Sequence, residues 1–213
     1  MSRSPEPLRG PADPLPVAGQ APPERADAAR NRLKILRAAA EILDAAGPEG
    51  LSVAEVARVA DTGVGTVYRR FGDRTGLLLA LLDEREREFQ AAFMSGPPPL
   101  GPGAPDEVRL RAFLSALVDR IQAQHELALL AERSSPAGRL RSGRYSVHHA
   151  HLSILLARVR PGADPHFLAD TLLAALSAEQ LRWFREGRGM DPQQIKDAVR
   201  DLVDGLCGGP GTS

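Results

Sequence analysis

The residues best suited to chemistry lie between Ser52 and Arg74. At about 100° per residue, a short helix from Val64 to Phe71 would sort its side chains cleanly. Val64, Val67 and Phe71 fall on one side, and Gly65, Thr66, Arg69 and Arg70 on the other. The second face is short, polar and cationic, which is what entry into a DNA major groove requires. Small residues near the helix start let the backbone come close, and arginines can neutralise phosphates or donate to guanine edges. Tyr68 lies between the two faces, where a phenol can bond a phosphate. Ser52 and Arg74 begin the flanking helices, whose free backbone amides also favour phosphate. The site residues expected to touch DNA are therefore Ser52, Val64, Gly65, Thr66, Tyr68, Arg69, Arg70 and Arg74.

The surrounding elements must hold that face in place. Leu33, Leu36, Ala40 and Leu43 recur at helical spacing from about Ala26, and Gly47-Pro48 ends that helix. Its first part is cationic, with Arg25, Arg30, Arg32, Lys34 and Arg37 against Asp27 alone, and suits a DNA backbone. Ser52-Val53-Ala54-Glu55 reads as a capping box. A short helix to Ala60, a break at Asp61-Thr62-Gly63, the helix from Val64 and a second break at Gly72-Asp73 follow. Two short helices joined by a Gly-containing turn are the sequence form of a helix-turn-helix. A Gly-broken helix pair is also common in ordinary helical proteins, so spacing alone leaves other readings open.

Val56-Ala57, Ala60, Gly65-Thr66-Val67-Tyr68-Arg69-Arg70-Phe71, Asp73-Arg74 and Leu77-Leu78 resemble the signature of the TetR family of regulators. The resemblance implies an all-α fold: a three-helix DNA-binding head followed by a larger helical ligand-binding and dimerisation body. It also implies contact with double-stranded operator DNA through Thr66, Tyr68 and the start of the fourth helix. A homodimer built mainly by the last two long helices and a small-molecule effector are further implications. Gly63 stands where a serine often caps the recognition helix, and Arg74 where a lysine is usual.

The rest of the chain divides by composition. Residues 1–24 are a Pro/Ala-rich disordered arm, 25–80 the DNA-binding domain, 81–207 the body and 208–213 a flexible tail. A long helix runs from Arg74 to about Met94, and a Pro/Gly linker covers Ser95 to Pro105. Later helices begin near Arg139, at Asp164-Pro165 and at Asp191-Pro192, the last two with Asp at the N-cap. Two apolar bands suit packing or a dimer: Phe167, Leu168, Thr171, Leu172, Ala175 and Leu176, then Ile195, Val199, Leu202, Val203 and Leu206. Phe89, Phe93, Phe113, Leu117, Ile121, Tyr145, His149, Leu152 and Trp183 could line a pocket for a hydrophobic effector.

Several features suggest less. The Glu84–Glu88 run reads as a solvated helix face. His148, His149 and His151, with His125 and His166, are expected as exposed polar residues, and neither a metal nor a cofactor is expected. Ser134-Ser135 lacks the context of a nucleophile, and Cys207 reads as a small apolar residue. Charge balances, with 27 cationic and 27 acidic residues, so nucleic-acid binding must rest on local charge. A single cysteine and no signal-peptide pattern suggest a cytoplasmic protein without a membrane span. The competing reading is an all-helical small-molecule or lipid-binding protein, or an enzyme, that does not bind DNA.

Overall fold

The computed structural model describes residues 23–125 and 143–208. Residues 1–22, the Ser134-Ser135 pair, the start of the helix expected from Arg139 and residues 209–213 lie outside the described residues.

Every regular element among the described residues is helical. α1 covers Pro23–Gly50 and is interrupted at Gly47, whose φ of 68° is left-handed. Glycine adopts that conformation without a Cβ clash, and Pro48 resumes the chain in a short final turn. α2 is Val53–Val59 and α3 is Val64–Phe71. Val56, Ala57 and Val67 pack with Ile35, Leu36 and Ala39 of α1 into the head's core. Gly72, at φ 80°, turns the chain into α4, Arg74–Ser95, which Asp73 caps through the Gly76 amide at 2.7 Å. Gly76 has no substitute there, because a Cβ would fall 1.9 Å from the Phe71 carbonyl oxygen.

The body contains α5 (Asp106–Ala123), α6 (Gly143–Val159), α7 (Pro165–Ala175), α8 (Ala178–Arg182) and α9 (Pro192–Cys207). α5 packs against α6 and α9, and α6 against α7. Asp164 caps α7 and Asp191 builds a complete capping box with Gln194 at α9, both with Pro at the first helical position. One break is not visible in the apolar pattern. The chain turns at Leu176, Ser177 caps α8, and α8 passes into a π-helical turn, Trp183–Gly187.

α4 belongs to both halves of the molecule. Leu77, Leu78, Leu81 and Leu82 complete the head's core, whereas Phe89 and Phe93 join Phe113, Leu152 and Leu155 in the body's. Between them lie six consecutive charged residues, Asp83 to Glu88. This stretch is not the solvated face expected from its composition. Glu86 is 3% exposed. It pairs with Arg120 of α5 at 2.7 Å and His148 of α6 at 2.8 Å, and accepts from Gln90 at 2.8 Å. Burial works against the Glu86 charge, but His148 and Arg120 prevail and hold its carboxyl below the usual range. Burial also draws the Arg120 guanidinium below its usual value, and Glu86 opposes that. His148, expected on the surface, is buried for the same reason: it is a partner of Glu86.

Removing one member of a buried pair leaves the other uncompensated. Glu86→Leu is expected to cost about 3–5 kcal/mol of stability. Arg87→Ala, which only breaks an exposed pair with Glu84, should cost less than about 1 kcal/mol. Chemical denaturation of both variants reads the contrast. Equal losses would return the whole run to the solvated face.

Candidate nucleic-acid interface

The head presents α3 as a helix buried on one side and open on the other. Val67 is 1% exposed and Phe71 is partly buried, while Gly65 and Arg69 are exposed and Tyr68 is 52% exposed. Thr66 is half-buried. Val64 differs from its expected inward position: it is 41% exposed. As the first residue of α3 it has no earlier turn behind it, and Val67 already fills the seat beside Val56 and Ala57. It therefore stands beside Gly65 and Tyr68 at the open edge.

Local hydrogen bonds fix α3. The Gly63 carbonyl accepts from Thr66 and Val67, but Gly63 offers no side-chain cap. The preceding turn passes through Asp61 at φ 44°, and Lys34 of α1 braces it by donating to the Asp61 carbonyl at 3.4 Å. Ser52 caps α2 by accepting from the Glu55 amide at 3.1 Å, which leaves its hydroxyl hydrogen free to donate outward. The reciprocal half of the expected capping box is absent. Glu55 instead takes Arg58, at 3.0 and 2.7 Å.

Two of the expected DNA-facing arginines have internal work. Arg70 is half-buried and donates to the Ala28 carbonyl of α1, because the N-terminal turns of α1 reach over the end of α3. Arg74 donates to the Leu51 carbonyl at 2.9 Å and to the Pro48 carbonyl. The kink at Gly47 leaves the carbonyls that follow without a regular helical ladder, and a forked guanidinium can reach two of them. Spacing could not show this, since both acceptors lie more than twenty residues away in sequence. Arg69 is the arginine of α3 whose side chain stays exposed.

The residues expected at an effector pocket divide. Phe93, Phe113, Leu117 and Leu152 come together in the body's core, with Phe89 against them and Ile121 at its margin. His151 lies among these rings, 4.5 Å from Phe93 and 4.9 Å from Phe113 between centroids. Burial, with Arg109 and His148 nearby, lowers its pKa to about 4. Tyr145 packs against the edge of this core and, with His149, reaches the α6–α7 seam: Tyr145 donates to Asp170 at 2.5 Å, and His149 stacks on His166 at 5.3 Å. Trp183 stands apart at 60% exposure, so it does not line this core. It opens the π-helical turn and lies about 200° around the helix from buried Leu181. Among the described residues, no three His, Cys, Asp or Glu side chains gather as a metal site, and no helix is long and apolar enough to cross a membrane.

A helix-turn-helix head with a cationic, partly open second helix, carried by a helical body, defines a DNA-binding transcription regulator. Residues 35–81 match the family model for bacterial regulatory proteins of the tetR family. The chain is 28% identical over 182 residues to the HTH-type transcriptional regulator BetI of Burkholderia mallei, covering 82% of this chain and 92% of that one. The fold matches a TetR-family transcriptional regulator from Pectobacterium atrosepticum with a TM-score of 0.68, at 20% identity over 88% of this chain and 99% of the other. A TetR/AcrR-family regulator from Thermobifida fusca gives 0.62, at 23% identity over 85% of this chain and all of the other. Residues 35–81 thus carry the DNA-binding region of the tetR-family model, and the chain along most of its length is similar to TetR-family regulators.

Arg74→Ala should destabilise the protein by about 1–3 kcal/mol, because the Leu51 carbonyl loses its donor and the Pro48 carbonyl keeps only the Leu51 amide. Thermal unfolding without DNA checks this. A variant as stable as the parent would show that the Arg74 side chain does no structural work.

Proposed function

We propose that the chain is a homodimeric repressor. Each head, within residues 25–80, lays α3 in a major groove of a palindromic operator, and a small apolar effector in the body releases the DNA. The carrying observation is Gly65. Glycine inside a helix costs about 1 kcal/mol relative to alanine. Here a Cβ would meet nothing within 4 Å, so no internal packing requires the glycine. Its absent side chain makes sense when a partner comes close from outside. Tyr68, Arg69 and Val64 surround that opening, and the Ser52 hydroxyl and the backbone amides at the start of α4 supply phosphate donors.

Dimerisation brings two recognition helices to successive grooves, roughly 34 Å apart. Large apolar side chains stand exposed on the last elements: Phe167 at 67%, Trp183 at 60% and Leu202 at 49%. Exposed apolar groups of this size favour a protein partner, and a second copy supplies it. Trp183 is held in position while exposed. A Cβ at Gly187 would fall 2.5 Å from the indole, so the ring lies flat over that glycine. Phe93, Phe113, Leu117 and Leu152, packed together in the body, are the apolar surface that an effector would part on entering.

Gly65→Ala is expected to raise stability by up to about 1 kcal/mol while weakening operator binding. Tyr68→Phe, which deletes one hydroxyl, should weaken it about 5–10-fold. The fragment for both is selected by the protein from random DNA, and affinity is followed by fluorescence anisotropy at several salt concentrations. Parent-like affinity in both variants, or a complex indifferent to salt, would overturn the interface.

Trp183 is the chain's one tryptophan, so its emission reports on its surroundings. Dilution should shift that emission to the red as dimers separate, and Trp183→Glu should sediment at the 22.8 kDa of one chain. A parent chain that is monomeric at micromolar concentration removes the dimer.

A further inference from the structure

α4 carries its buried face as a regular stripe: Leu78, Leu82, Glu86, Phe89 and Phe93, spaced by four, four, three and four. Glu86 is the single charged member of that stripe, and it falls where the head's core ends and the body's begins. Its neighbours divide their attention. Glu84 takes Arg32 of α1 at 2.8 Å, and Arg85 takes Asp44 of α1 at 2.7 Å. Glu86, about 200° around the helix from Glu84, takes Arg120 and His148 in the body. Three successive residues thus fasten one helix to the head on one side and to the body on the other.

Apolar contacts are non-directional, and a leucine seam can slide or rotate by small amounts. A buried ionic group has partners at fixed directions and allows one register. A lone polar residue in an apolar seam is known to fix register in this way. Arg120 also lies over the Phe89 ring, 5.5 Å from its centroid, and Phe89 meets His148 edge-on at 5.5 Å, so the same aromatic side chain closes over both partners.

We propose that Glu86, with Arg120 and His148, is a positioning pin that fixes the angle between head and body and thereby the half-site spacing the dimer accepts on DNA. This rests on the dimeric, DNA-binding reading above. The pin touches no DNA. It acts through α4, which ends in the head at Arg74, and a small rotation about residue 86 moves α3 along or around the duplex.

The test compares the parent chain with the triple variant Glu86→Leu/Arg120→Leu/His148→Leu, which removes the ionic group as a unit and leaves no buried charge unpaired. Both are titrated against the selected operator duplex and against duplexes with one base pair inserted or deleted between half-sites, a displacement of about 3.4 Å plus a rotation. The parent should lose at least tenfold in affinity on either change. The variant should lose less than threefold, with its unfolding still cooperative. A variant that keeps the parent's discrimination overturns the pin, as does a parent indifferent to spacing. Failure of the parent to retain any duplex overturns the DNA-binding reading instead, and the pin with it. If the triple variant does not fold, Glu86→Gln, which keeps the shape and removes the charge, takes its place. Relaxed spacing in that variant then supports the pin, and unchanged spacing overturns it.

Discussion

One helix here must satisfy two cores. α4 gives four leucines to the head and two phenylalanines to the body, and no other described helix belongs to both buried clusters. The head is small, and α1, α2 and α3 would enclose little apolar surface without Leu77, Leu78, Leu81 and Leu82. The recognition helix therefore depends on α4 for its footing: Val67 packs in a core that α4 helps to close. That dependence makes α4 a mechanical connection as well as a packing element. Whatever turns its body half turns the head.

The charged stretch at the crossing point follows from this arrangement. An unbroken leucine stripe through residues 83–88 would merge the two cores without a defined angle between them. Charges in the stretch demand partners, and they find them on different bodies: α1 for Glu84 and Arg85, α5 and α6 for Glu86. The zero net charge of the chain is consistent with this economy. Many arginines are spent on internal pairs or on carbonyls, among them Arg32, Arg70, Arg74, Arg85 and Arg120. The proposed DNA contact then rests on cations of the head that stay exposed, Arg69 among them.

The head was legible in the sequence because its signals are local. Gly47-Pro48, the Ser52 cap, Asp61-Thr62-Gly63 and Gly72-Asp73 each act within a few residues, and the structure places breaks and caps at all of them. The Asp-Pro starts of α7 and α9 were legible for the same reason. What spacing could not give was the partner of a long side chain. Arg70 sorts to the outer face on a helical wheel and Arg74 opens a helix expected to meet phosphate, yet their guanidinium groups turn back to α1 and the turn after it. Glu86 was hidden by its neighbours, since five flanking charges make a surface segment the natural reading. The stripe through Leu82, Glu86 and Phe89 was the available signal. Trp183, expected among the pocket residues as a large aromatic side chain, lies about 200° around the helix from buried Leu181, so the helical phase itself turns it outward.

Three residues break a local rule without local reward. Gly65 weakens a helix in which nothing crowds it, Glu86 puts a carboxylate into an apolar seam, and Trp183 holds an indole in water. Chains that fold well keep local preference and global structure in agreement, and departures concentrate where function overrides stability. These departures occupy three places: the open face of α3, the crossing point of α4 and the surface of the last elements. The dimeric regulator proposed above needs one device at each place, to approach DNA, to hold the approach angle and to join the second copy. A ligand-binding body without DNA would give no reason for the glycine at the open face, and a single rigid core would give none for the carboxylate between two.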